Sequence, residues 1–140
     1  MNNTVINKFF YICFLLIIMS SASAEVGQLN NVQLKHLKAE RVPIIDIRRA
    51  DEWRFSGIIE GSHLLTFFDA RGNYNIDKWL TELNKIVKKN EKFILVCRSG
   101  NRTGQVSSFL DKKLGYTQVF HLQRGINAWK KAGEKVVPVK

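Results

Sequence analysis

The sequence predicts an α/β domain, a parallel β-sheet with helices on its faces. Short β-branched or aromatic apolar runs alternate along the chain with segments whose apolar residues recur at helical spacing. One run, Phe93, Ile94, Leu95 and Val96, has no polar residue at all, as suits a strand covered on both faces. Strand, helix and strand in repetition join parallel neighbours, because each helix carries the chain back across the sheet.

Taken in order, Val32, Leu34 and Leu37 behind Asn30 and Asn31 suggest a short capped helix. Residues 42–47, Val-Pro-Ile-Ile-Asp-Ile, read as a strand, with Pro43 tolerated because it stands near the start. Residues 50–55 read as a helix stopped by Ser56 and Gly57. After the Gly61–Ser62 turn, His63, Leu64 and Leu65 form another short strand. Ile76, Trp79, Leu80, Leu83, Ile86 and Val87 fall three or four residues apart, which predicts the clearest amphipathic helix of the chain over 76–89. The strand at 93–96 leads to a helix over 103–114, then a strand at 118–122 and a last helix at 126–132. No repeat, low-complexity stretch or linker divides the chain, and 140 residues with 45% apolar content support one compact domain.

The first 24 residues stand apart from that domain. Lys8 precedes an unbroken apolar run of 11 residues from Phe9 to Met19, and Ser20-Ser21-Ala22-Ser23-Ala24 follows with small residues at Ala22 and Ala24. This is the pattern of a cleaved secretory signal, with residues 25–140 as the mature domain in the periplasm or outside the cell. The run is short of the ~20 residues a membrane-spanning helix needs, so an uncleaved anchor is the weaker reading and no stable membrane insertion is expected after cleavage. Cleavage would remove Cys13 and leave Cys97 as the one cysteine, unable to pair within its own chain. The formal charge is +10, and loss of Lys8 leaves 21 basic against 12 acidic residues, about +9. Anionic ligands follow from that balance. Nucleic acid does not, because the lysines are spread over residues 78–89 and the termini, with no aromatic-interleaved basic patch.

Cys97 is where chemistry concentrates. The apolar strand delivers it into Arg98-Ser99-Gly100-Asn101-Arg102, directly before the helix at 103–114. At such a strand-to-helix switch the N–H groups of the turn and the helix N-terminus gather negative charge. Arg98 and Arg102 add to the positive field and favour thiolate over thiol. In open parallel sheets ligands bind beyond the carboxyl ends of the strands, and Asp46 and Arg48 come off that same edge. Arg98 and Arg102 are the candidates for holding an anionic donor, with Ser99, Gly100 and Asn101 supplying backbone donors and a small cross-section. Asp46 reads as a structural partner to an arginine, with Arg102 one candidate. His36, His63 and His121 offer no convincing general base, and none is needed where the surroundings make the thiolate. The plain alternative is a buried structural cysteine with solvated arginines around it.

The residues Asp46-Ile47-Arg48 with Glu52-Trp53, the turn 57–62, the loop 97–102, Gly115-Tyr116 and Gly125-Ile126-Asn127-Ala128-Trp129 together resemble a single-domain rhodanese of the rhodanese-like sulfurtransferase family. The resemblance spans about residues 27–129 and implies a central parallel sheet of about five strands with helices on both faces. It implies that the residue at Cys97 takes a sulfane sulfur from thiosulfate or a similar small anionic donor, becomes a persulfide, and passes the sulfur to cyanide, a thiol or a thioredoxin-like acceptor. No cofactor and no metal are implied. Where relatives carry Gly-His-Ile-Pro-Gly-Ala this chain has Gly57-Ile58-Ile59-Glu60-Gly61-Ser62, with the turn expected to survive through its glycines. A non-enzymatic sulfur carrier or interaction module shares the same pattern. A cysteine phosphatase needs Cys-x5-Arg to wrap a phosphate, whereas here the arginine comes one residue early and Thr103 takes its place.

Overall fold

The structure, a computed structural model, describes residues 27–139; the expected signal segment lies outside them. Its elements are β1 (Gly27–Leu29), α1 (Asn31–Ala39), β2 (Ile44–Asp46), α2 (Ala50–Ser56), β3 (His63–Leu64), α3 (Ile76–Ile86), β4 (Phe93–Val96), α4 (Asn101–Leu114), β5 (Val119–Leu122) and α5 (Gly125–Lys131). The five strands lie in the order β1-β5-β4-β2-β3, and every pairing is parallel.

The apolar run of β4 earns its central place by period-two alternation. Phe93, Leu95 and Cys97 enter one core with Ile45, Trp79, Leu83, Val106 and Leu110, under α3 and α4. Ile94 and Val96 enter the other with Leu34, Leu122, Ile126 and Trp129, under α1 and α5. All four strand residues are wholly buried, and each such side chain is worth about 1.5–3 kcal/mol relative to exposure.

Beyond one-residue differences at the ends of α2, β3, β5 and α5, sequence expectations and structure differ at four places. β1 was not expected: Gly27, Gln28 and Leu29 are too few and too mixed to show periodicity, and only pairing with Phe120, His121 and Leu122 makes them a strand. The helix expected over 76–89 ends at Ile86, because the β-branched Val87 turns extended (φ −144°, ψ 144°) to bury itself in the core while the Glu91 carboxylate takes the N–H of Lys88 at 2.7 Å. The strand expected at 42–47 is confined to Ile44–Asp46. α4 starts two residues before the expected Thr103. The altered turn at 57–62 holds as expected: Gly57 and Gly61 take positive φ (73° and 82°), and Ile58 makes an antiparallel bridge to Val137.

Asp46 closes β2 with a buried ion pair. Arg48 donates from Nη2 to Asp46 Oδ2 at 2.7 Å and from Nε to Oδ1 at 2.9 Å, with both side chains 1% exposed. The rest of the guanidinium is satisfied by Ser56 Oγ at 2.6 Å and the Gly57 carbonyl at 2.8 Å, so the pair ties the end of β2 to the end of α2. A buried pair held this fully is costly to break on one side only. Asp46→Ala is expected to lower unfolding free energy by about 3–5 kcal/mol, read from urea denaturation. A loss below about 1 kcal/mol would show that Arg48 finds water or another partner.

Candidate functional site

At the carboxyl end of β4 the chain has one short loop in which to leave a buried strand and begin a helix. Cys97 keeps the alternation of β4, so its side chain points into the core beneath α4 and the residue is 0% exposed. The loop then folds back over the sulfur, and the Gly100 N–H donates to Cys97 Sγ at 3.2 Å. Gly100 has φ +92°, and a Cβ there would lie 2.8 Å from the Arg124 backbone nitrogen. Only glycine takes that conformation in that space without strain. From the other side α5 anchors the loop, with the N–H groups of Ile126 and Asn127 donating to the carbonyls of Cys97 (2.9 Å) and Arg98 (3.1 Å). Asn101, Arg102 and Thr103 form the first turn of α4, where N–H groups lack intrahelical acceptors and the helix dipole is positive.

The structure thus brings Cys97, Gly100 and the start of α4 together. Arg98, Ser99 and Asn101 are exposed at the loop surface. Arg98 borders a pocket of about 320 Å³ that it shares with Arg49, Phe55, Ile126, Asn127 and Lys130. Arg102 is half-buried and engaged: Nη1 and Nη2 grip Glu52 Oε2 and Oε1 at 2.8 and 2.6 Å. This corrects the expectation of an Arg102–Asp46 bond, since Arg48 already occupies the Asp46 carboxylate. Hydrogen bonding to Glu52 raises Arg102 above its ordinary value in spite of burial, and the nearby charges of Glu52, Cys97 and Asp46 act in the same direction. Burial alone would raise Glu52, but bonds from Arg102 and from the Arg49 N–H hold its carboxyl below the usual range.

One residue set aside on sequence grounds belongs to the site. His121 Nδ1 lies 3.3 Å from Thr103 Oγ1, which in turn lies 3.4 Å from Cys97 Sγ. The signal was present in the alternation of β5, where Val119 and His121 fall on one face and His121 stands in register with Leu95, two residues before Cys97 on the same face of β4. His36 and His63 are exposed elsewhere, on α1 and β3. Among the described residues no group of three or more His, Cys, Asp or Glu side chains is placed to hold a metal ion.

The rhodanese-like domain family model matches residues 30–132. No curated protein matches the chain. Among solved structures, a Pseudomonas aeruginosa thiosulfate sulfurtransferase aligns with TM-score 0.66 and 18% identity over 82% of this chain, which spans 21% of that one. The homodimeric polysulfide-sulfur transferase of Wolinella succinogenes aligns with TM-score 0.62 and 16% identity, covering 84% of this chain and 82% of its own. A Rhodopseudomonas palustris protein of unknown function, described as a possible tyrosine phosphatase, aligns with TM-score 0.57 and 24% identity, covering 80% and 85%. At these identities the structural likenesses carry the fold.

The Glu52–Arg102 pair has a pH signature. A carboxyl held below its ordinary value contributes stability that is present above its unfolded pKa and is lost as pH falls through the folded one. Thermal melts of wild type and Glu52→Gln, taken from neutral pH down through the carboxylate range, are expected to converge on acidification, with the variant melting lower at neutral pH. Coincident curves would mean that the pair contributes nothing to the fold, and a constant offset that its contribution does not depend on the Glu52 charge.

Proposed function

The chain belongs to the rhodanese-like domain family, and within it we propose that this protein is a sulfurtransferase that carries a sulfane sulfur as a persulfide on Cys97. The observation that carries the reading is the loop folded back on the sulfur, with the Gly100 N–H 3.2 Å from Sγ at the positive end of α4. In the step proposed, the Cys97 thiolate attacks the outer sulfur of thiosulfate or a similar donor. A new S–S bond forms, the donor S–S bond breaks, and sulfite leaves with the electron pair. A thiophilic acceptor, whether cyanide, a thiol or a thioredoxin-like protein, then attacks the outer sulfur of the persulfide and releases the Cys97 thiolate. Both half-reactions place negative charge at the loop, where N–H groups and the helix terminus stabilise it without reorganising. Arg98, exposed at the mouth, suits a first contact with the anionic donor, while Arg102 sets the field of the loop from its place on Glu52.

Phosphate transfer is the weaker chemistry for this loop. Four residues separate Cys97 from Arg102, and that arginine turns to Glu52 in a bidentate pair. The expected export of residues 25–140 fits a mature chain whose single cysteine has no disulfide partner, the lone thiol then serving as the reacting group.

Three measurements test this. Cys97→Ser is expected to abolish thiocyanate formation from thiosulfate and cyanide while matching wild type in thermal melting; residual turnover near wild type would remove Cys97 from the reaction. Arg98→Ala and Arg102→Ala are each expected to lower the second-order rate with thiosulfate about tenfold or more without adding aryl phosphatase activity. Full turnover in both variants would contradict charge assistance. Edman sequencing of protein recovered from the native host is expected to start at Glu25, and retention of Met1 in a membrane fraction would make the chain an anchored one.

A further inference from the structure

Thr103 sits between three groups that compete for one proton. Its Oγ1 is 3.1 Å from the Gly100 carbonyl, 3.4 Å from Cys97 Sγ and 3.3 Å from His121 Nδ1. A hydroxyl has a single hydrogen and two lone pairs, so the state of Nδ1 decides what is left for the sulfur. With Nδ1 bare, imidazole, carbonyl and sulfur all ask for the same hydrogen. With Nδ1 carrying a hydrogen, the imidazole donates into a Thr103 lone pair and the hydroxyl proton is free for the other two. Once the sulfur is anionic, a charge-assisted bond to it outcompetes the neutral carbonyl.

We propose that His121, in its Nδ1–H tautomer, is a positioning residue that makes Thr103 a hydrogen-bond donor to the anionic sulfur of Cys97. This rests on Cys97 being the sulfur carrier. Both links are long for hydrogen bonds, and contacts of this kind tighten when the charge they serve develops. The imidazole is buried between neighbouring strands and α4. Leu95 of β4 and Gln28 of β1 stand in register with it, and a Cβ at Gly104 of α4 would lie 3.7 Å from its Cε1. None of these neighbours is charged. Burial holds His121 below its usual range, which keeps it neutral at neutral pH, and protonation in acid would retain the hydrogen on Nδ1. Beyond Thr103 the titratable group is Cys97, which is followed by the exposed Arg98 and interacts with Arg102, itself paired with Glu52.

The test uses thiol reactivity, which needs no sulfur donor. Alkylation of Cys97 by iodoacetamide is followed across pH by mass spectrometry of its peptide in wild type, His121→Leu, His121→Asn, Thr103→Val and the double variant His121→Leu with Thr103→Val. His121→Leu is expected to slow alkylation at neutral pH about tenfold and move the profile to higher pH, because the sulfur anion loses a charge-assisted bond. His121→Asn, whose amide N–H stands near the position of Nδ1, is expected to stay within about threefold of wild type. In the Thr103→Val background His121→Leu is expected to add nothing, since the two residues act as one unit. An unchanged profile in His121→Leu overturns the proposal. So does an undiminished effect in the Thr103→Val background, which would mark a merely structural role. Imidazole ¹⁵N NMR of the unmodified protein reads the tautomer even if His121→Leu does not fold, and a hydrogen on Nε2 alone would also overturn it. Failure of thiosulfate to load Cys97 with the alkylation coupling intact would sink the sulfur-transfer reading and leave the Thr103–His121 link as a property of the Cys97 thiol alone, no longer of a sulfur carrier.

Discussion

Between Val96 and Asn101 the chain must leave a buried strand, present a sulfur and start a helix, and it manages this by letting Gly100 adopt φ +92° against the backbone of Arg124. The rest of the site depends on that turn. It aims the Gly100 N–H at Cys97 Sγ, allows α4 to begin at Asn101, and thereby brings the Thr103 hydroxyl over the same sulfur. The sheet supplies the other half of the constraint. Because β4 is buried on both faces and alternates strictly, Cys97 points under α4 and away from solvent.

Charge at this edge of the sheet is organised in pairs. Arg48 closes on Asp46 in the interior, and Arg102 grips Glu52 at the rim, so two of the arginines nearest the loop act through fixed partners. The first pair joins β2 to the end of α2; the second joins α2 to the first turn of α4. α2, which has no buried residue of its own, is held over the carboxyl edge through these contacts. Arg98 differs in lying exposed beside the pocket with Arg49, Phe55 and Lys130.

Much of this was legible in the sequence, because the signals were local. The helix around Trp79 and Leu83 shows in its spacing, the strand at 93–96 in its composition, and the Cys97 loop in its two arginines and one glycine. What was not legible depends on partners distant in the chain. β1 exists through its pairing with β5. Arg102 finds Glu52 in place of Asp46 because a buried arginine two residues from Asp46 claims that carboxylate first. His121 looks like an ordinary strand residue until the register with Leu95 places it on the Cys97 face. The resemblance carried by the loop and the Gly125–Trp129 segment reached the family, which the match over residues 30–132 shows. It does not reach the Thr103–His121 link, which rests on the pairing of β4 with β5.

The most direct measurement is the mass of the Cys97 peptide after the purified protein is mixed with thiosulfate and unreacted reagent is removed. Sulfur transfer through Cys97 predicts a gain of one sulfur atom on that peptide, lost again on addition of cyanide with release of thiocyanate. An unchanged mass under conditions in which the free thiol is shown to be intact would contradict it.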